Sequence, residues 1–173
     1  MVGMAEACPR VDCRHRAAYS RWTATARGGA AVSGTADDVA AQRSGARLGF
    51  QAGQVVQELG WDNDVDESLR SSIAEVTGTA LVYGDHGDVV DAVLLWWRDG
   101  DGDLVDAMVD APTDLAEGGA ILLLTPKVGR DGYVDPSDIA EAAPVAGLST
   151  TTTQAAGPEW SATRLVRPKS GRR

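Results

Sequence analysis

The stretch that decides the fold runs from 91 to 126. It holds the apolar run Asp91-Ala-Val-Leu-Leu-Trp-Trp97, the turn Arg98-Asp-Gly-Asp-Gly-Asp103 and a second apolar run, Ala120-Ile-Leu-Leu-Leu124. Both runs are near-continuous, the pattern of strands covered on both faces. Between them Leu104, Val105, Met108, Val109 and Leu115 fit a helix, which Gly118-Gly119 is expected to stop. A strand, a helix and a parallel strand form a βαβ unit, nearly always right-handed. The expected fold class is therefore α/β, a small three-layer sheet, mostly parallel. Trp96 and Trp97, adjacent in a strand, should point to opposite faces and pack under opposite helical layers.

Working outward toward the N-terminus, Gly84–Asp88 reads as a loop and Thr79–Tyr83 as a short strand. Val65, Leu69, Ile73 and Val76 are spaced as one face of a helix, which Asp62-Asn63-Asp64 would cap and Gly78 would close. Gln51–Leu59 reads as a short helix ended by Gly60. Residues 1–47 show no hydrophobic period and are expected to be a disordered extension. Within it, residues 1–31 carry Arg10, Arg14, Arg16, Arg21 and Arg27, and are expected to reflect start-site choice, with the chain beginning at Val32. The single domain then spans 48–168.

Toward the C-terminus, Pro126–Tyr133 reads as a Gly-containing loop. Asp135 and Pro136 mark the start of a helix that buries Ile139, Ala142 and Ala143. Leu148–Ala156 is Thr-rich, as a strand would be. Gly157-Pro158 turns the chain, and Trp160–Val166 alternates as the return strand of an antiparallel hairpin. Residues 169–173 form a basic tail.

Charge narrows the partners. From Leu48 to Val166, 21 acids stand against 5 bases, a balance of −16 within a chain of formal net charge −9. Such a surface repels phosphate backbones and anionic lipid, so neither nucleic acid nor membrane is expected as a partner; a basic protein is attracted to it. Cys8 and Cys13 have no second pair to complete a zinc site. No apolar run reaches 18 residues, and no compact apolar leader follows the start, so a cytoplasmic location is expected.

Four residues are expected to meet a ligand: Asp99, Thr125, Lys127 and Arg130. They lie just past two central strands, where open α/β sheets bind ligands, and the two bases on a Gly-containing loop could grip a small anion. Asp99, Asp101 and Asp103 echo the spacing of a calcium loop, but Leu104 stands where that loop needs Gly, and helix capping explains the acids as well. No metal is expected. His86, near Asp85 and Asp88, has the elements of an acid–base pair, without a nucleophile in a recognisable motif.

Several motifs together carry a family resemblance: Leu48-Gly-Phe50, Gln54-Val-Val-Gln-Glu58, Val65-Asp-Glu67, Trp96-Trp-Arg-Asp-Gly-Asp-Gly-Asp103, Leu124-Thr-Pro-Lys127, Gly129-Arg130, Pro136-Ser-Asp-Ile139 and Thr163-Arg-Leu-Val166. Over 48–169 the chain resembles an actinobacterial family, domain of unknown function 3052, which brings no activity with it. The order of elements is also similar to the C-terminal half of class I methyltransferases, which implies a Rossmann-like sheet with a C-terminal antiparallel hairpin. That likeness makes S-adenosylmethionine the cofactor to consider. The strand and Gly-rich turn that would hold it have no counterpart in this reading, so no cofactor is expected. The function expected is that of a small, acidic, non-catalytic ligand- or protein-binding regulator. The alternative is a reduced methyltransferase-like enzyme or cofactor binder, with its site near 97–99 and 125–130.

Overall fold

The structure, a computed structural model, describes residues 44–84 and 87–168. The basic stretch 1–31, the rest of the extension to 43, the loop pair Asp85 and His86, and the tail 169–173 lie outside the described residues. In chain order the elements are β1 (Val56–Leu59), α1 (Glu67–Thr77), β2 (Val82–Tyr83), β3 (Val90–Trp96), α2 (Leu104–Asp110), β4 (Leu115–Pro126), α3 (Pro136–Val145), β5 (Ser149–Ala156) and β6 (Trp160–Val166). They build one sheet in the order β2-β1-β3-β4-β6-β5. The first four strands are parallel. β6 alone runs against the others, antiparallel to both of its neighbours, β4 and β5, so β5 points the same way as the first four.

The two apolar runs are neighbouring parallel strands, with Val93 beside Ile121 and Leu95 beside Leu123. Alternation sends their side chains to two separate cores. Leu94, Trp96, Leu122 and Leu124 pack with Leu69 and Ile73 of α1. Val93, Leu95, Trp97, Ile121 and Leu123 pack with Met108 of α2 and with Ile139 and Ala143 of α3. Trp96 and Trp97 thus serve opposite layers, as their adjacency requires. Trp160 at the head of β6 is fully buried and meets Trp96 edge to face, with ring centroids 4.7 Å apart.

Three expectations need correction. Gln51–Leu59 is not a helix: residues 56–59 are β1, paired with β2 on one side and β3 on the other. Its polar residues are buried because each has a partner. Gln57 Nε2 donates to the Gly84 carbonyl at 2.6 Å, and Glu58 accepts from Arg70 and Trp96. Next, the 104–115 helix ends at Asp110, and Leu115 already belongs to β4. Gly118 and Gly119 lie inside that strand, beside a register shift between Val90 and Ala92. A Cβ on Gly119 would come within 2.7 Å of the Asp91 carbonyl oxygen, so the glycine permits close strand approach instead of stopping a helix. Finally, the cap of α1 is Asp66, which accepts from the Leu69 N–H at 3.0 Å; Asp62 and Asp64 are used elsewhere.

The other helix boundaries follow their caps. Gly78 closes α1 in the left-handed conformation, at φ +74°. Asp103 caps α2, and Asp135 caps α3 with Pro136 in its first turn. Residues 44–47 form a helical turn ahead of Leu48, anchored where the Gly45 N–H donates to Ser72 Oγ at 2.8 Å.

Candidate functional site

The strand order reverses between β1 and β3, since the chain leaves β1 for β2 on one side and β3 for β4 on the other. The C-terminal ends of the parallel strands there are the customary ligand crevice of an open α/β sheet. Gly60 begins the turn out of β1 with φ +69°, and a Cβ at this position would collide with the Trp96 carbonyl oxygen. Only glycine lets the two strand ends approach this closely.

Arg98, at the exit of β3, lies across this crevice. Its guanidinium donates to the Gly60 carbonyl at 2.9 Å and to Asp64 Oδ2 at 2.9 Å, with a further contact to Asp64 Oδ1. It lies 5.2 Å from the Trp160 ring centroid, close enough for a cation–π contact. Its backbone N–H donates to Asp101 Oδ2 at 2.9 Å. One arginine thus ties the turn after β1, the end of β3 and the head of the hairpin. The hydrogen bonds from Arg98 hold the Asp64 carboxyl below its ordinary pKa, against a smaller opposing effect of partial burial. The turn's own amides are engaged as well: Asn63 N–H donates to Asp62 Oδ1 at 2.7 Å and Val65 N–H to the Asp62 carbonyl at 3.3 Å. What remains is an open cavity of about 340 Å³ walled by Trp61, Trp97, Asp62 and Asp101.

A second cavity, of about 240 Å³, lies between α3 and the β5–β6 hairpin at the end of β4. Thr125, Ser161 and Thr163 form its sheet wall, and Val134, Pro136 and Ile139 face them. Thr125 and Ser161 are register partners, so their side chains stand together on one face. Thr163 Oγ1 and Thr153 Oγ1 share a hydrogen bond at 3.2 Å. Thr125 is only 3% exposed, and its hydroxyl has no hydrogen-bond partner among the described residues.

The four expected ligand residues do not form one cluster. Thr125 and Lys127 line the second cavity. The Lys127 ammonium donates to the carbonyls of Gly157 at 2.8 Å and Pro158 at 3.1 Å. Arg130 pairs with Glu159 at 2.7 Å, and both bases therefore brace the hairpin turn. Asp99 is exposed, and its N–H donates to the Gly132 carbonyl at 2.9 Å. Asp103 Oδ1 accepts from the N–H groups of Val105 and Asp106. Among the described residues no three His, Cys, Asp or Glu side chains come together in a way that could hold a metal. His86 lies outside them. The sequence reading missed Arg98, Gly60 and the hydroxyls of Ser161 and Thr163. Arg98 carried a signal, as one of five bases in the acidic stretch and placed at a strand exit.

Three comparisons bear on the chain. The family model described as protein of unknown function (DUF3052) matches residues 45–169. Uncharacterised proteins from Mycobacterium tuberculosis and Mycobacterium bovis are each 50% identical over 149 residues, covering 86% of this chain and 92% of theirs. Among solved structures, the pyocyanin biosynthetic protein PhzM is similar with a TM-score of 0.51 and 14% identity, over 77% of this chain and 56% of that one; this chain thus spans little more than half of its length. A SAM-dependent methyltransferase from Thiobacillus denitrificans, in complex with S-adenosyl-L-homocysteine, has a TM-score of 0.48 and 12% identity over 78% of this chain. At these identities the likeness is one of fold. Among the described residues, no helix is long and apolar enough to cross a membrane.

Proposed function

We propose that this chain, which belongs to the family described as protein of unknown function (DUF3052), is a non-catalytic binding protein on a methyltransferase-like fold. The observation that carries the reading is the Arg98 bracket at the switch point. A nucleotide-type ligand there needs free backbone N–H groups after the first strand and room above it. In this chain the Asn63 and Val65 amides are bonded to Asp62, and Arg98 spans the gap on Gly60 and Asp64. Asp62 and Asp101 in the cavity wall oppose a ligand carboxylate or phosphate. The residues present therefore do not fit S-adenosylmethionine. The acidic surface favours a basic protein as macromolecular partner, whose capture should weaken with salt.

A second reading, a reduced cofactor binder, is favoured by one feature: a strand, the Gly60 turn and α1 stand at the switch point in the order such a site uses. Thermal unfolding with S-adenosylmethionine and S-adenosylhomocysteine separates the two. A ligand at a hundred times its Kd adds about 2.7 kcal/mol, a rise of several degrees in Tm for a domain of this size. The expected outcome is an unchanged Tm; a clear rise would replace the first reading with the second.

A further inference from the structure

We propose that the cavity between α3 and the β5–β6 hairpin binds a small carboxylate with a compact apolar body. This rests on the binding-protein reading above and names the ligand class. The wall chemistry points to an acceptor. Thr125 is nine-tenths buried as a residue, and its unpartnered hydroxyl opens onto the cavity, where it can donate to a ligand. Ser161, its register partner, stands beside it. Lys127 lies two residues past Thr125 and on the same lining. An ammonium has three N–H donors, and the Gly157 and Pro158 carbonyls take two of them. One donor is left, and it can only give a hydrogen bond. A carboxylate meets all three groups, because it accepts through two oxygens and donates through none.

The surroundings favour the same ligand. No Asp or Glu lines this cavity, although acids outnumber bases 21 to 5 over 48–166. An anion is thus repelled by most of the surface and meets a cation at this groove. Val134, Pro136 and Ile139 supply the opposite, apolar wall, which suits a ring or a branched chain. A water occupies about 30 Å³ in the liquid, so a cavity of about 240 Å³ matches a ligand of roughly eight to ten non-hydrogen atoms.

Benzoate and its neutral isostere benzamide are suitable probes, titrated into the full chain by calorimetry and followed by amide chemical shifts. Benzoate should bind once per chain, shift the amides of 125–128 and 161–163, and bind at least about tenfold more tightly than benzamide, as a charge-assisted bond implies. Lys127→Met should weaken benzoate at least about tenfold, but it also removes the brace on the hairpin turn. Thr125→Val is therefore the sharper variant. It deletes an unpartnered hydroxyl at constant shape, so Tm should stay level or rise while benzoate affinity falls. Val109→Ala, at an exposed position on α2 outside the cavity lining, should leave affinity unchanged. Equal binding of benzoate and benzamide, full affinity in Thr125→Val, or no benzoate binding would each overturn the proposal. A Tm rise with S-adenosylmethionine would instead overturn the reading of the switch point and leave these outcomes legible.

Discussion

Glu58 and Arg70 meet 2.8 Å apart, the carboxylate fully buried and the guanidinium nearly so. Trp96 Nε1 donates to the same carboxylate at 2.8 Å, so the pair joins β1, α1 and β3. Burial works against the charge on Arg70, yet the hydrogen bond and charge of Glu58, with smaller contributions from Tyr83 and Glu67, together hold its pKa above the ordinary arginine value. Arg70→Met strands a buried carboxylate and should cost about 3–5 kcal/mol. The double variant Glu58→Gln, Arg70→Met should cost less than Arg70→Met alone. Urea denaturation of the four species gives the coupling directly; a single-variant loss under about 1 kcal/mol would show that the pair does not tie the layers.

Gly60 and Gly78 have nearly the same φ, +69° and +74°, but different surroundings. A Cβ at Gly78 meets nothing within 4 Å, whereas at Gly60 it strikes the Trp96 carbonyl oxygen. Gly78→Ala should therefore cost only the left-handed penalty, about 1–2 kcal/mol. Gly60→Ala adds a backbone collision at the junction of β1 and β3 and should cost at least about 2 kcal/mol more. Equal losses in thermal unfolding would mean that the strand ends separate freely, and the tight switch point would not stand.

The contrast between these glycines explains what the sequence could and could not reveal. The β3–β4 pair was legible because both strands are buried on both faces and spell continuous apolar runs. The β5–β6 hairpin was legible from alternation and Gly157-Pro158. Strand β1 was not, because four residues are too few to show a period and two of them, Gln57 and Glu58, are polar side chains buried by distant partners. Misreading β1 hid the Gly60 turn and, with it, the role of Arg98. Gly118-Gly119 misled for the opposite reason: a glycine pair looks like a helix stop, but here close strand approach demands Gly119, and a φ of +83° favours glycine at 118. Of the second cavity, Thr125 and Lys127 were visible by their place after a strand. The hairpin hydroxyls were not, since a threonine-rich strand looks the same whether it faces solvent or a groove.

Asp64 gives the fold an acid-sensitive contact. Its carboxyl titrates below the ordinary value because Arg98 bonds its charged form. A depressed carboxyl contributes stability above its unfolded pKa, about 3.9, and loses that contribution as pH falls through the lower, folded value. Asp64 is 41% exposed in its side chain, so solvent screening limits the pair to about 1 kcal/mol or less. Asp64→Asn should thus be slightly less stable than the parent at pH 6, with the gap closing as the pH drops below about 4. Urea midpoints across that range provide the check, and a gap that widens on acidification would contradict the direction of the shift.

The acidic turn 99–103 offers a last test, of whether its carboxylates serve the helix or an ion. Asp103 Oδ1 accepts from Val105 N–H at 2.8 Å and Asp106 N–H at 3.2 Å, and thereby satisfies amides that the first turn of α2 leaves open. Asp101 is held by Arg98, through the backbone N–H at 2.9 Å and the guanidinium at 3.5 Å. Each carboxylate thus has local work that a bound cation would have to displace. Asp103→Ala should cost about 0.5–2 kcal/mol, the usual loss of a helix cap. Asp99→Ala, at an exposed position, should stay within about 0.5 kcal/mol of the parent. Millimolar calcium should leave all three unfolding midpoints where they were. If calcium stabilised the parent and that gain vanished in both variants, the turn would be an ion site and its capping role secondary.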